Sequence, residues 1–222
     1  MNMFGDMTFE EFLSSHGGAS VDPKKRERGW KDRPVTRRWR RQTPTSFPIT
    51  YVPVGLYPNS NEFKDWTRTH GTNPYGQPES CISSRVHDQG KCNSTWAHAT
   101  VETLAAVWCI KFGQSWRLSA QQLIDCDYGN YGCSQGGDPY YALEYIHFEG
   151  ISESRFYADH PDTISQALPK QCVRDVPRTP VKVDEAGLES KEANLYSLLQ
   201  TGPVIVGLNV EPLQFYKEGI IR

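Results

Sequence analysis

Residues 89–97 read Gln-Gly-Lys-Cys-Asn-Ser-Thr-Trp-Ala, and this stretch decides how the rest of the chain is interpreted. A largely apolar run of good helix formers follows it, from Val101 to Phe112. This composition predicts a buried helix over that run, downstream of the polar stretch.

The stretch resembles the active-site segment of the papain-type cysteine peptidases, Gln-Gly-x-Cys-Gly-(Ser/Ala)-Cys-Trp, in which the second cysteine is the nucleophile. Cys92 matches the first cysteine of that segment, and Thr95 stands at the nucleophile position. The hydroxyl group of an internal threonine is far less acidic than a thiol and is not ionised near neutral pH. The resemblance therefore predicts a peptidase scaffold that does not carry out the chemistry of the family.

Further segments resemble motifs of the same family, in the family's order, over roughly residues 65–222. They are residues 118–126 (Leu-Ser-Ala-Gln-Gln-Leu-Ile-Asp-Cys), 131–137 (Tyr-Gly-Cys-Ser-Gln-Gly-Gly), 202–206 (Gly-Pro-Val-Ile-Val) and 215–220 (Phe-Tyr-Lys-Glu-Gly-Ile). Each motif alone is a weak signal, and together they are a strong one. We interpret residues 65–222 as a papain-like peptidase domain.

The resemblance implies an α+β fold with two lobes. A mainly helical lobe is expected at about residues 76–177, and a β-rich lobe at residues 65–75 and 178–222, beginning with a strand at Asp65. In the β-rich lobe we predict a helix over residues 191–200 and, from the β-branched content, a strand over residues 204–210. We expect this lobe to be truncated at its C-terminus, because the sequence stops before the strands that would close it.

The resemblance also implies a catalytic histidine and asparagine, which lie roughly 130–150 residues beyond the nucleophile in the family. Only 222 − 95 = 127 residues follow Thr95 in this sequence, so both positions fall beyond Arg222. A threonine nucleophile needs an adjacent base. His98 is expected to be a packed or solvent-edge residue and His87 a loop residue, so neither is expected to act as that base.

Other positions of the cleft retain residues that match the family. Gln89 matches the glutamine whose side chain donates to the oxyanion. Gly136 and Gly137 match glycines whose backbone pairs with a bound peptide, where a missing Cβ allows close approach. Asp138 and Pro139 lie where the family lines its main specificity pocket. We therefore expect a peptide or protein ligand in the cleft and no cofactor.

The residues Asn93-Ser94-Thr95 also form an N-glycosylation sequon, at a site where the family has glycine. A glycan at Asn93 would stand in the cleft. The alternative is an unmodified asparagine, because the acceptor must be accessible and this one is expected in a compact turn.

The six cysteines suggest an oxidising compartment. The resemblance implies two disulfide bonds, Cys92–Cys133 and Cys126–Cys172. Cys109 is expected to be a buried thiol, and Cys81 has no assigned partner. Zinc is the competing interpretation, although no Cys-x-x-Cys pattern supports it. By resemblance and cysteine content the protein is expected to be secreted or lysosomal/vacuolar. No signal peptide is recognised at Met1, and no segment approaches the ~20 apolar residues that span a bilayer.

Residues 1–64 are interpreted as a partial inhibitory prosegment followed by a basic linker. Residues 2–12 resemble the end of the prosegment, and residues 24–41 contain ten basic and two acidic side chains. This run is expected to be a solvated processing linker. Docking to an acidic partner, to nucleic acid or to the acidic remainder of the chain stays open. The overall formal charge of −2 gives no general reason to expect a nucleic-acid partner.

Three functional hypotheses follow from the sequence. The first is a catalytically inactive papain-family homologue that binds peptide or serves as a scaffold. The second is a proteolytic enzyme represented by an incomplete chain, and the third is a gene fragment without a retained role.

Overall fold

The structure is a computed structural model that describes residues 65–159, 172–184, 186, 192–208 and 213–218. The prosegment and linker predictions for residues 1–64 lie outside the described residues. Within them, the chain forms in order a 3₁₀ turn at Trp66–Arg68, strands β1 (His70–Thr72) and β2 (Pro78–Ser80), and helices α1 (Thr95–Phe112), α2 (Ala120–Cys126), α3 (Pro139–Glu149) and α4 (Glu192–Thr201). The helices and the sheet occupy separate parts of the chain, so the predicted α+β class is confirmed.

Helix α1 is the centre of the helical lobe and packs against both α2 and α3. Its buried face carries Trp96, Ala97 and Val101, which join the apolar side chains of the neighbouring helices in one core. The helix ends at Gly113, whose left-handed conformation (φ 68°) lets its N–H donate to the carbonyl of Cys109. The predicted buried helix is therefore present and starts at Thr95.

Helix α2 is short, and buried polar groups fix both its start and its packing. The Ser119 side chain accepts from the N–H of Gln122 at 3.0 Å and donates to the carbonyl of Tyr157 at 2.7 Å. Gln122 is fully buried; its amide nitrogen donates to Tyr145 Oη at 3.0 Å and its amide oxygen accepts from the N–H of Ser152 at 2.8 Å. These bonds attach α2 to α3 and to the segment that follows α3.

The expected strand at Asp65 is replaced by a turn. Asp65 Oδ1 accepts from the N–H of Thr67 at 3.1 Å, which caps the 3₁₀ turn, and the first strand starts only at His70. Strands β1 and β2 pair antiparallel, with His70 opposite Ser80. A carboxylate at the start of this segment therefore favours local capping over strand pairing.

The predicted helix of the β-rich lobe is confirmed as α4, and its last turn accepts a hydrogen bond at Leu199 O from the indole N–H of Trp66 at 3.0 Å. The strand predicted over residues 204–210 is not formed in the described part, since residues 203–208 take part in no ladder there; residues 209 and 210 lie outside it. β-branched residues favour an extended backbone, but a strand also needs a hydrogen-bonded neighbour. The structure describes none beside this segment.

Three disulfide bonds join the described residues. They are Cys92–Cys133, Cys126–Cys172 and Cys81–Cys109, with Cα–Cα distances of 4.4, 4.8 and 5.3 Å. The first two are the pairs that the resemblance implies. The expectation of a free thiol at Cys109 and an unassigned Cys81 is wrong, because β2 ends against the C-terminal half of α1 and brings the two together. No helix in the described parts is long and apolar enough to cross a membrane.

Candidate functional site

The start of α1 presents an exposed hydroxyl group at a helix N-terminus that no side chain caps. Ser94 is the buried N-cap residue, and its carbonyl accepts from the N–H groups of Ala97 and His98 at 3.0 and 3.1 Å. Its side chain does not cap the helix. Thr95 follows as the first helical residue and is exposed, and its hydroxyl forms no hydrogen bond with the described residues. Such a helix start favours a negatively charged or carbonyl group of a ligand.

The loop of residues 131–137 is attached to this helix start by three contacts. The disulfide Cys92–Cys133 is one, and the N–H of Asn93 donates to the carbonyl of Cys133 at 3.2 Å. The third is the indole N–H of the buried Trp96, which donates to the carbonyl of Gly132 at 3.4 Å. The structure therefore brings the loop that carries Gly136 and Gly137 next to Thr95.

The local structure also explains why glycine occupies both positions that were predicted to bind substrate. Gly136 has a positive φ of 69°. At Gly137, an added Cβ would lie 2.6 Å from the Asn130 side chain and 2.7 Å from the Trp96 ring. Glycine is thus required at position 137 by packing under the loop, whether or not a peptide pairs with its backbone.

Asp138 and Pro139, the residues matched to the specificity pocket, form the start of α3. Asp138 is buried, and its carboxylate accepts from the N–H of Tyr140 at 3.0 Å, while Pro139 occupies the first helical turn. Asp138 N–H donates to Asn130 Oδ1 at 2.7 Å. Their position beside the loop fits the border of a cleft, and a role in specificity stays a prediction.

The buried carboxylate of Asp127 accepts hydrogen bonds from two residues that directly precede the loop of residues 131–137. Asp127 accepts from the N–H of Gly129 at 2.9 Å and from the Asn130 side chain at 2.6 Å. Burial raises the pKa of Asp127 to about 7, against the lowering effect of these two hydrogen bonds, and the Glu144 carboxylate adds to the rise. Asp127 is thus a structural acid whose charge changes near neutral pH.

Gln89 and Asn93 lie in the turn that leads into α1. The N–H of Cys92 donates to the carbonyl of Gln89 at 3.1 Å, and both Gln89 and Asn93 are half-buried. The oxyanion-donor role of Gln89 and the glycosylation of Asn93 therefore stay predictions. The half-burial of Asn93 is the environment in which a sequon is poorly accessible.

The two histidines nearest to Thr95 form a cluster that sequence reasoning missed. The rings of His87 and His98 stack with centroids 5.2 Å apart, and His87 Nε2 lies 2.9 Å from Glu102 Oε1. Burial lowers the pKa of His98, and His87 lowers it further, whereas Asp159 acts in the opposite direction. The available sequence signal was Glu102 at four residues from His98 on one helix.

This cluster lines a cavity of about 230 Å³ that does not include Thr95. In the described parts of the chain, no group of three or more His, Cys, Asp or Glu residues is arranged to hold a metal ion. The histidines therefore face a cavity that Thr95 does not line.

Comparison with known proteins identifies the family. Residues 75–222, which are 148 of the 222 residues, match the model of the papain family cysteine proteases. The chain is 30% identical to the thiol protease SEN102 of Hemerocallis sp., over 99% of this chain and 54% of that protein. It is 31% identical to caricain of Carica papaya, over 100% of this chain and 55% of caricain.

A solved structure from work on antibody cross-reactivity between the mite allergens Blo t 1 and Der p 1 has the same fold. Its TM-score is 0.52 at 22% identity, over 82% of this chain and 50% of that chain. The chain spans about half the length of the curated relatives that it matches. The helical lobe and the loop at the start of α1 both lie within the segment that matches the family model. The chain belongs to the papain family of cysteine proteases.

Proposed function

We propose that the chain is a papain-family homologue that does not cleave peptide bonds and that binds peptide in its cleft. The observation that carries this proposal is the exposed Thr95 hydroxyl at the start of α1, without a hydrogen-bonded base among the described residues. A threonine in this position lacks the thiolate that the family uses.

The available histidines support the absence of catalysis. His98 is one helical turn beyond Thr95, and its ring is stacked on His87 beside the 230 Å³ cavity. His87 is held by Glu102. A general base must reach the hydroxyl proton directly or through one water molecule, and these rings are engaged with each other instead.

The passive parts of the cleft support peptide binding. The disulfide Cys92–Cys133 fixes the loop of residues 131–137 beside the uncapped start of α1. An extended peptide can pair its main chain with such a loop at Gly136 and Gly137, and Gln89 lies in the turn that leads into α1. Asp138 and Pro139 then border the ligand. The predicted acidic partner of the linker at residues 24–41 stays a separate proposal.

Three disulfide bonds support an extracellular, lysosomal or vacuolar location. Such bonds persist in oxidising compartments and are rare in the cytosol. Isolation of the protein from its natural source with all three bonds intact would test this assignment, and a fully reduced protein in the cytosol would overturn it.

Hydrolysis of an internally quenched peptide library by the full chain tests the absence of catalysis. We expect no cleavage by the chain and none by Thr95→Ala. Cleavage that Thr95→Ala abolishes would refute the proposal and favour the alternative, a proteolytic enzyme represented by an incomplete chain.

Peptide binding is tested by fluorescence anisotropy with labelled peptides from the same library. Thr95→Arg places a long side chain at the exposed start of α1 and is expected to weaken binding at least about tenfold, which is ~1.4 kcal/mol. Val107→Arg is the matched control, because this exposed position lies on the same helix about three turns away. Equal binding by both variants, or no binding by the parent chain, contradicts a peptide-binding cleft.

A further inference from the structure

The side chain of Asn130 lies against the loop of residues 131–137, and each of its polar atoms has a partner. Asn130 is buried, and its amide nitrogen donates to Asp127 Oδ2 at 2.6 Å and to the carbonyl of Asp138 at 3.3 Å. Its amide oxygen accepts from the N–H of Asp138 at 2.7 Å. Asn130 therefore holds both main-chain polar groups of the residue that directly follows the loop.

Asp127 determines which way the amide group of Asn130 faces. Asp127 Oδ1 accepts from the N–H of Gly129 at 2.9 Å, and Oδ2 faces the amide nitrogen of Asn130. If this amide were turned over, its oxygen would face Asp127 Oδ2 and the carbonyl of Asp138, and its nitrogen would face the N–H of Asp138. Each contact would then join two acceptors or two donors. Asp127 therefore directs the amide oxygen of Asn130 at the N–H of Asp138.

Gly137 lies directly against this amide group, since a Cβ added to it would be 2.6 Å from Asn130 Oδ1. The residues on both sides of Gly137 are held in place. The carbonyl of Gly136 accepts from the N–H of Tyr131 at 3.1 Å, and Asp138 is bonded to Asn130. No main-chain hydrogen bond joins Gly137 to another described residue. The backbone on both sides of Gly137 is thus fixed, while the described part of the loop does not use the polar groups of Gly137 itself.

We propose that Asn130 is a positioning residue that orients the main chain of Gly137 for a peptide ligand. This inference rests on the proposed peptide binding. Main-chain pairing gives affinity when the groups of the protein are already oriented, because ordering a loop during binding costs free energy. Asn130 supplies this order before the ligand arrives, and Asp127 fixes its orientation. A purely structural role of Asn130 would change the stability of the chain and leave the affinity of the folded protein unchanged.

The variant Asn130→Asp of the full chain tests the positioning role, because it replaces the amide nitrogen by an oxygen with little change in size. The new oxygen would face Asp127 Oδ2 and the carbonyl of Asp138. We expect the affinity for the labelled peptides, measured by fluorescence anisotropy, to fall at least about tenfold. Amide exchange of Asp138, measured by nuclear magnetic resonance, should rise about tenfold. Unchanged affinity in a variant whose α1 amides stay protected overturns the proposal.

Combining Asp127→Asn with Asn130→Asp tests whether the orientation of the pair matters. The amide introduced at position 127 can donate to the carboxylate introduced at position 130, which can still accept from the N–H of Asp138. We expect the affinity and the protection of the Asp138 amide to return to within about threefold of the parent chain. A folded double variant that binds as weakly as Asn130→Asp contradicts the proposed orientation.

Asn73→Asp is the matched control for the same chemical change. The side-chain oxygen of Asn73 accepts from the N–H groups of Tyr75 and Gln77, both at 3.0 Å, and a carboxylate can accept both bonds. This variant is expected to bind peptide like the parent chain, and an equal loss of affinity in it would contradict a specific role of Asn130.

The outcomes for the parent chain separate this inference from the proposed function. Absence of peptide binding by the parent chain refutes both, whereas binding that Asn130→Asp leaves unchanged refutes the positioning role alone. If Asn130→Asp does not fold, amide exchange of the parent chain decides the question. The Asp138 amide is expected to exchange slowly in the absence of peptide, and rapid exchange there, with the α1 amides still protected, overturns the proposal.

Discussion

Removal of the disulfide between Cys81 and Cys109 is expected to destabilise the helical lobe strongly. The two cysteines are 28 residues apart in sequence. In the chain-entropy relation, a loop of this length contributes about 3.6 kcal/mol at 25 °C by restricting the unfolded chain. A domain of ordinary stability has about 5–15 kcal/mol in total, so this one bond is a large share.

Packing around the disulfide bond adds to the expected loss of stability. Cys109 and Cys81 are both buried, and a Cβ placed on Gly71 would lie 2.6 Å from Cys109 Sγ, so the sulfur fills the space between β1 and α1. The double variant Cys81→Ala and Cys109→Ala removes both sulfurs without leaving an odd thiol. We expect a loss of about 3–5 kcal/mol when the cavity term is included.

Urea denaturation followed by tryptophan fluorescence measures this loss, with Trp108 and Trp116 close to the affected end of α1. The comparison is the double alanine variant of Cys126 and Cys172, whose 46-residue separation predicts a similar entropic loss of about 4.0 kcal/mol. Peptide mapping without reduction checks the bonds themselves. A loss below about 1 kcal/mol, or free thiols at both positions of the parent chain, would refute the reasoning.

Three further predictions concern the loop and the helix starts. Gly137→Ala is expected to lower the melting temperature by several degrees, because its methyl group would overlap Trp96 and Asn130; an unchanged value would contradict this packing. Asp127 has its folded pKa raised to about 7 from 3.8, so the folded state holds a proton that the unfolded state releases, and stability from this group falls as pH rises between these values. The free energy of unfolding from urea denaturation should fall by about 2.5 kcal/mol between pH 5 and pH 7.5, a loss that Asp127→Asn lacks, and parallel pH profiles of the two proteins would count against this reasoning. Ser119→Ala removes the side-chain cap of α2 and should lower the free energy of unfolding, measured by urea denaturation, by about 1–2 kcal/mol. An unchanged free energy would contradict a stabilising cap.

Much of the fold was predictable because local patterns and family motifs agree. The apolar run after Trp96 predicts α1, and the helix predicted over residues 191–200 is present as α4. The strand predicted over residues 204–210 is not formed in the described part of that range, because a strand needs a hydrogen-bonded neighbour that composition does not reveal. The strand predicted at Asp65 was wrong for a local reason. Its carboxylate accepts from the N–H of Thr67 and caps a turn in place of a strand.

The disulfide bond beside Thr95 was predictable from the resemblance, and the other contacts around Thr95 were less so. Thr95, Gln89 and the glycine loop are close in sequence to cysteines that the resemblance pairs. The disulfide of Cys81 and the stacking of His87 on His98 depend on where β2 and the following segment return to α1. The spacing of residues along the chain does not show which distant segments pack against α1, so these two contacts could not be predicted from the sequence.

Nothing in the packing of the helix start depends on which reactive atom Thr95 carries. Its side chain is exposed, the helix is ordered by the carbonyl of Ser94, and the adjoining loop is held by Cys92–Cys133 and by the indole of Trp96. A hydroxyl can therefore replace a thiol at this position without a cost in stability. The packing of the helix start and the chemistry of residue 95 are therefore separable, and membership of the family does not by itself establish peptide hydrolysis.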